Sequence, residues 1–163
     1  MKTVLGALLV SAAVLLLQTT LAPFLGILQV VPDFVLVWIA ILGIRHGRFG
    51  AIGAGFLLGL AVDLLSGADG MLGLAAFCKS LAGFVAGSFY NENKTAQSLG
   101  GSTLPAATAA ASLVHNLLYF VVVLQGSEVG VWASILRYGI PTTLYTTAVA
   151  LLPMFVFSRT AGR

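Results

Sequence analysis

Apolar residues run through this chain in long blocks, separated by short clusters of charged, amide and glycine residues. Residues 3–22 form the first block, after a lone Lys2. The apolar stretch continues through LAPFLGILQVV without a small-x-small cleavage site, so the block reads as a retained anchor rather than a signal peptide. A second block opens at Pro32 and Asp33 and ends at Arg45, a third covers 49–66, a fourth 70–90, a fifth 104–125 and a sixth 131–158, kinked at Pro141. A helix that crosses the hydrocarbon core needs about 20 mostly apolar residues. The second block reaches only roughly 20 Å at 1.5 Å per residue, so it either begins earlier, after Pro23, or is a short helix covered by its neighbours. The polar stretch NENKTAQSLGGST at 91–103 reads as a loop, with Pro105 suited to the first turn of the next helix. The pattern predicts an all-α integral membrane protein, six transmembrane helices in a compact bundle, forming one domain over residues 1–163.

Composition supports this class: 59% of residues are apolar, 8% are charged, and the mean hydropathy is +1.04. A net charge of +3 in a soluble chain would raise nucleic acid as a partner. Here the basic residues are topology signals instead. Threading six segments back and forth puts Lys2, Arg45, Arg48, Lys94, Arg159 and Arg163 on one side, while the opposite connections carry Asp33, Asp69 and Glu128. This positive-inside pattern places both termini in the cytoplasm. The basic turn at Arg45 and Arg48 reads first as a topology anchor, with anionic lipid headgroups or a cytoplasmic partner as the alternative. Cys78 is the single cysteine, so no disulfide can form within the chain.

The remaining polar residues are candidates for a site. Asp63 ends a stripe of small residues, Ala51, Gly55 and Gly59, spaced four apart on one helix face. Steps of four from Ala75 give Lys79, Gly83 and Gly87. Each helix thus joins a close-packing face to one ionisable residue, and a tight SGADG turn suggests an antiparallel hairpin. An axial offset of roughly 9 Å separates Asp63 from Lys79, which a reaching lysine can largely recover. His115 and Asn116 on the fifth segment and Arg137 on the sixth complete one expected polar cluster in the outer half of the bundle. A packing role and a ligand-binding or relay role for that cluster weigh equally. His115 by itself favours packing, because it has no second metal ligand at suitable spacing. Thr142, Thr143, Thr146 and Thr147 are expected to satisfy carbonyls freed by Pro141. No phosphate-binding loop, HExxH or GxSxG is present, so no catalytic residue, metal or cofactor is assigned, and any chemistry would have to use the polar cluster itself.

Residues 32–90 carry a family resemblance. The PD at 32–33, the stretch RHGRFGAIGAGFLLGLAVDLLSG at 45–67 and MLGLAAFCKSLAGFVAG at 71–87 resemble the bacterial rod shape-determining protein MreD family, with Pro32, Asp33, Gly55, Gly59, Asp63 and Gly73 as the matched positions. His115 and Arg137 match no family motif. The resemblance implies a non-enzymatic subunit of the rod complex, or elongasome, that supports lateral peptidoglycan synthesis and cell shape. It implies direct binding to MreC and, through the complex, to the RodA glycosyltransferase, a class B penicillin-binding protein and MreB. It also implies a fold similar to the substrate-binding subunits of energy-coupling-factor transporters. Gly55 and Gly59 read first as packing within the chain, with the MreC transmembrane helix received on such a small-residue face as the alternative. The alternative reading is a transporter subunit binding a vitamin-like solute in an outward cavity lined by Asp63, Lys79, His115 and Arg137.

Overall fold

The computed structural model describes residues 2–65, 71–125 and 130–161, and the expected SGADG turn lies outside them. The described elements are helices: α1 (Lys2–Leu16), α2 (Phe34–Leu65), α3 (Leu74–Ala86), α4 (Thr95–Gly100), α5 (Thr103–Val123), α6 (Val131–Ser134) and α7 (Ile140–Ala161). Among the described residues, four apolar stretches are long enough to cross a membrane: Val4–Leu25, Phe34–Leu65, Thr103–Val123 and Val131–Arg159. Leu74–Phe89 is a shorter apolar helix.

The range labelled α2 holds two helices, the second and third expected segments, joined by non-helical backbone at Gly47 (φ 73°, ψ −170°). That backbone conformation suits a residue without a Cβ. Contacts along α3 give the direction of the two arms. On the first arm, Asp33 meets Lys79 and Gly43 meets Ala86 and Gly87. On the second, Gly87 meets Arg48, Gly83 meets Ala51, Gly55 meets Lys79 and Gly59 meets Ala75 and Ala76. The first arm therefore runs along α3 and the second runs back, forming a hairpin turned at Gly47.

Every residue from Val35 to Ile44 is buried, which makes the first arm the central helix of the bundle. A helix that is apolar all round is stable only when enclosed. Its entry is capped from three directions. Asp33 Oδ1 accepts from Leu36 N at 2.9 Å, Gln18 Oε1 from Phe34 N at 2.8 Å, and Thr146 Oγ1 from Asp33 N at 3.0 Å. Helix N–H groups away from water need such partners. The second block is thus a short helix covered by neighbours, beginning at Phe34.

Two further elements depart from the sequence pattern. The polar stretch 91–103 contains a 3-10 turn, Glu92–Lys94, and α4. Leu99 is buried there, and Gly100 lies against the Ser158 backbone. A single apolar side chain with a close glycine contact anchors what otherwise reads as loop. In the last segment a π-helical turn, Ile135–Gly139, precedes Pro141. Thr143 Oγ1 donates to Gly139 O at 2.9 Å and Thr147 Oγ1 to Thr143 O at 2.7 Å, each reaching back one turn to a carbonyl other than the one at Arg137 that Pro141 would leave without its helical donor. Thr146 instead serves the entry of α2.

The basic residues gather at the Gly47 end. The Arg45 guanidinium lies 5.3 Å from the Phe157 ring centroid and that of Arg48 5.1 Å from Phe84. Lys94 and Ser158 line one surface recess beside them.

The α2–α3 contact fixes a contrast between two glycines. A Cβ at Gly55 would stand 2.3 Å from Lys79 O, whereas one at Gly53 would meet nothing within 4 Å. Gly55→Ala is expected to destabilise by about 1–3 kcal/mol through overpacking against backbone. Gly53→Ala is expected to be neutral or stabilising by up to about 1 kcal/mol from helix propensity. Thermal melting of the two purified variants in detergent checks the difference.

Candidate functional site

The polar residues separate into two groups. The first surrounds Lys79, which lies on α3 level with Gly55 and is 3% exposed. Its ammonium forms an ion pair and hydrogen bond with Asp33 Oδ2. The expected partner, Asp63, is two turns from that level. Its carboxylate accepts from Gly73 N at 3.0 Å, Ala75 N at 3.2 Å and Ala76 N at 3.1 Å. Asp63 thus caps the N-terminus of α3 from a different helix. Gly73, with φ 95°, offers no side-chain cap of its own. A carboxylate here satisfies orphan N–H groups and faces the positive end of the helix dipole.

Asp33 is the functional residue that the sequence reading left in an outer connection. One signal pointed to it: an Asp that follows a proline and opens an apolar run is an N-cap, and so stands at the edge of the bundle rather than in a loop. Its two oxygens divide the work, Oδ1 for Leu36 N and Oδ2 for Lys79.

His115 on α5 completes this group. It is 9% exposed, and its ring stacks on Tyr119 at a centroid distance of 6.0 Å and an interplanar angle of 25°. Asp33, Asp63, Lys79 and His115 share a cavity of about 500 Å³, with Tyr119 also on its wall.

Asn116 belongs to the second group. Its amide nitrogen donates to Thr143 Oγ1 at 3.0 Å, Gly139 O at 3.1 Å and Ser112 Oγ at 3.3 Å, tying α5 to the π-helical turn before α7. Asn116 therefore secures a helix junction outside the cavity. Arg137 joins neither group. It is exposed, lies over the Tyr138 ring at 5.6 Å, and borders a different recess with Leu28, Pro141 and Tyr145. A guanidinium on a long stem reaches the surface more readily than the bundle interior, which corrects the expectation of a single cluster of five residues.

The small-residue stripes also find their place. Ala51, Gly55 and Gly59 face the backbone of α3, and Gly83 and Gly87 face the backbone of α2. A partner helix cannot occupy Gly55 or Gly59, because Lys79 O and Ala76 Cα already fill the space that a Cβ would take. Arg45 and Arg48 lie exposed at the Gly47 turn. Among the described residues, no group of three His, Cys, Asp or Glu is arranged to hold a metal ion.

The geometry separates two ion-pair hypotheses. Asp33→Asn keeps an acceptor for Leu36 N while leaving Lys79 without its counter-ion, at an expected cost of about 3–5 kcal/mol. Adding Lys79→Met should recover most of that loss. In a double-mutant cycle read by thermal or denaturant melting, Asp33 and Lys79 should couple strongly, and Asp63 and Lys79 should be much closer to additive.

A family model described as rod shape-determining protein MreD matches residues 1–160. No curated protein and no solved structure matches the chain, so the expected similarity to energy-coupling-factor subunits is not supported.

Proposed function

Because the chain belongs to the family of rod shape-determining protein MreD, we propose that it is a non-enzymatic subunit of the bacterial elongation complex. It binds MreC directly and supports lateral peptidoglycan synthesis together with RodA, a class B penicillin-binding protein and MreB. The family match over nearly the whole chain carries this reading. The gathering of Arg45, Arg48 and Lys94 at one end supports an inner-membrane orientation with that end and both termini in the cytoplasm. Six crossings follow if the two arms of α2 and the shorter Leu74–Phe89 helix each traverse the bilayer.

A bundle with little mass outside its helices must meet partners mainly through helix surfaces. With Gly55 and Gly59 filled by α3, the MreC helix requires a face that the fold leaves open. The groove between α1 and α2 is the candidate. Its walls carry the small residues Gly6, Ala7, Gly50 and Ala54, and a Cβ at Gly6 would meet nothing within 4 Å. Small residues allow two helix backbones to approach closely within lipid. The transporter reading rests on the polar cavity, but one of the four residues expected to line it, Arg137, lies elsewhere.

Gly6→Leu is expected to leave the melting temperature unchanged and to reduce MreC recovery in affinity purification from mild detergent by at least about tenfold, the equivalent of about 1.4 kcal/mol. Full recovery would remove this groove as the interface. Depletion of the protein should abolish rod shape without a defect in solute uptake, and the reverse result would favour the transporter reading.

A further inference from the structure

The cavity at the outer end holds hydrogen-bonding capacity that the fold does not use. His115 Nδ1 is buried with no hydrogen-bond partner. Such an atom is costly to leave unsatisfied, and native structures rarely leave one without a reason. Lys79 carries three N–H donors, and its described hydrogen bond goes to Asp33 alone. An unpartnered imidazole nitrogen thus sits on a residue that lines the same space of about 500 Å³ as Lys79, whose further ammonium donors no described hydrogen bond uses.

Charge decides which ligands fit. An anion entering the cavity would meet the carboxylates of Asp33 and Asp63, and a cation would compete with Lys79 for Asp33. Like charges at short range in a partly desolvated site are penalised. A hydroxyl group is neutral and both donates and accepts, so it can pair with His115 Nδ1 and with Lys79 at once. Tyr119, stacked on His115, adds a flat aromatic wall for the C–H face of a ring. Pockets of this kind combine apolar walls with a few placed polar groups.

We infer that this cavity binds a small neutral polyhydroxylated group of the sugar or polyol class, with His115 and Lys79 as its hydrogen-bonding residues and Tyr119 as its stacking wall. The group comes either as a free solute or as the uncharged glycosyl headgroup of a lipid. The site is independent of which protein partner the chain binds.

The test uses the full chain in nanodiscs, with His46→Gln so that His115 is the sole histidine. ¹⁵N-histidine NMR follows Nδ1 during titration with glucose, N-acetylglucosamine and sucrose, with glucose 6-phosphate and ethanolamine as charged comparators. A second arm adds monoglucosyl diacylglycerol to the nanodiscs. A saturable Nδ1 shift with at least one neutral sugar or with the glycolipid supports the site, and the responding arm identifies the source. The charged comparators should bind at least about tenfold more weakly, and His115→Phe should lose at least about tenfold in affinity by calorimetry. Tyr119→Leu provides a second affinity readout if His115→Phe does not fold. The absence of a saturable response in both arms would mean that water alone fills the cavity and would overturn the inference. Equal binding of the charged compounds, or unchanged affinity in the variants, would overturn it as well.

Discussion

A lysine ammonium at 3% exposure needs a counter-ion, and in this protein the entry of the central helix supplies it. Asp33 neutralises Lys79 with one oxygen and caps α2 with the other. Because the same carboxylate meets both requirements, the depth of the first arm and the register of α3 are set together. Gln18 and Thr146 converge on the adjacent backbone N–H groups, which brings the π-helical turn after α1 and the first half of α7 to this point. Unsatisfied helix ends and unpaired charges are both expensive away from water. Their shared solution explains why a helix too short to span the hydrocarbon by itself can stand at the centre of the bundle.

The second constraint is backbone proximity. Gly55, Gly59, Gly83 and Gly87 bring α2 and α3 so close that an added Cβ would overlap backbone atoms. This contact holds Lys79 at the level where it reaches Asp33, and it holds Asp63 where the first turn of α3 begins. Small residues, the ion pair and the cap thus form one mechanical unit. That unit leaves α1 as the most loosely enclosed long helix, with many of its large apolar side chains exposed. The proposed partner groove follows from this division between a locked hairpin region and an open helix.

Much of the architecture was legible because its causes are local. Long apolar blocks mark helices, Arg45 and Arg48 mark a turn, and four-residue spacing places Ala51, Gly55, Gly59 and Asp63 on one face. The same spacing on α3 identifies the face that α2 meets. The polar site was legible in membership more than in wiring. Asp63, Lys79 and His115 do share a cavity, but Asp63 spends its carboxylate on three N–H groups of α3 and leaves Lys79 to Asp33. Asn116 turns to Thr143 and Gly139, and Arg137 faces outward over Tyr138. Sequence spacing gives depth along a helix and says little about which neighbouring helix stands opposite.

The sequence by itself determined that this is a helical membrane protein, where its small-residue faces lie, and which of its ends is basic. These properties depend on side-chain chemistry and helical periodicity within a single segment. Only the tertiary structure decided that Asp33 belongs to the site, that Lys79 pairs with it, and that both apolar blocks joined at Gly47 lie along α3. Each of these depends on what lies across the bundle. A carboxylate is claimed by whichever donors the packing brings within about 3 Å, and pattern along the chain does not encode that distance.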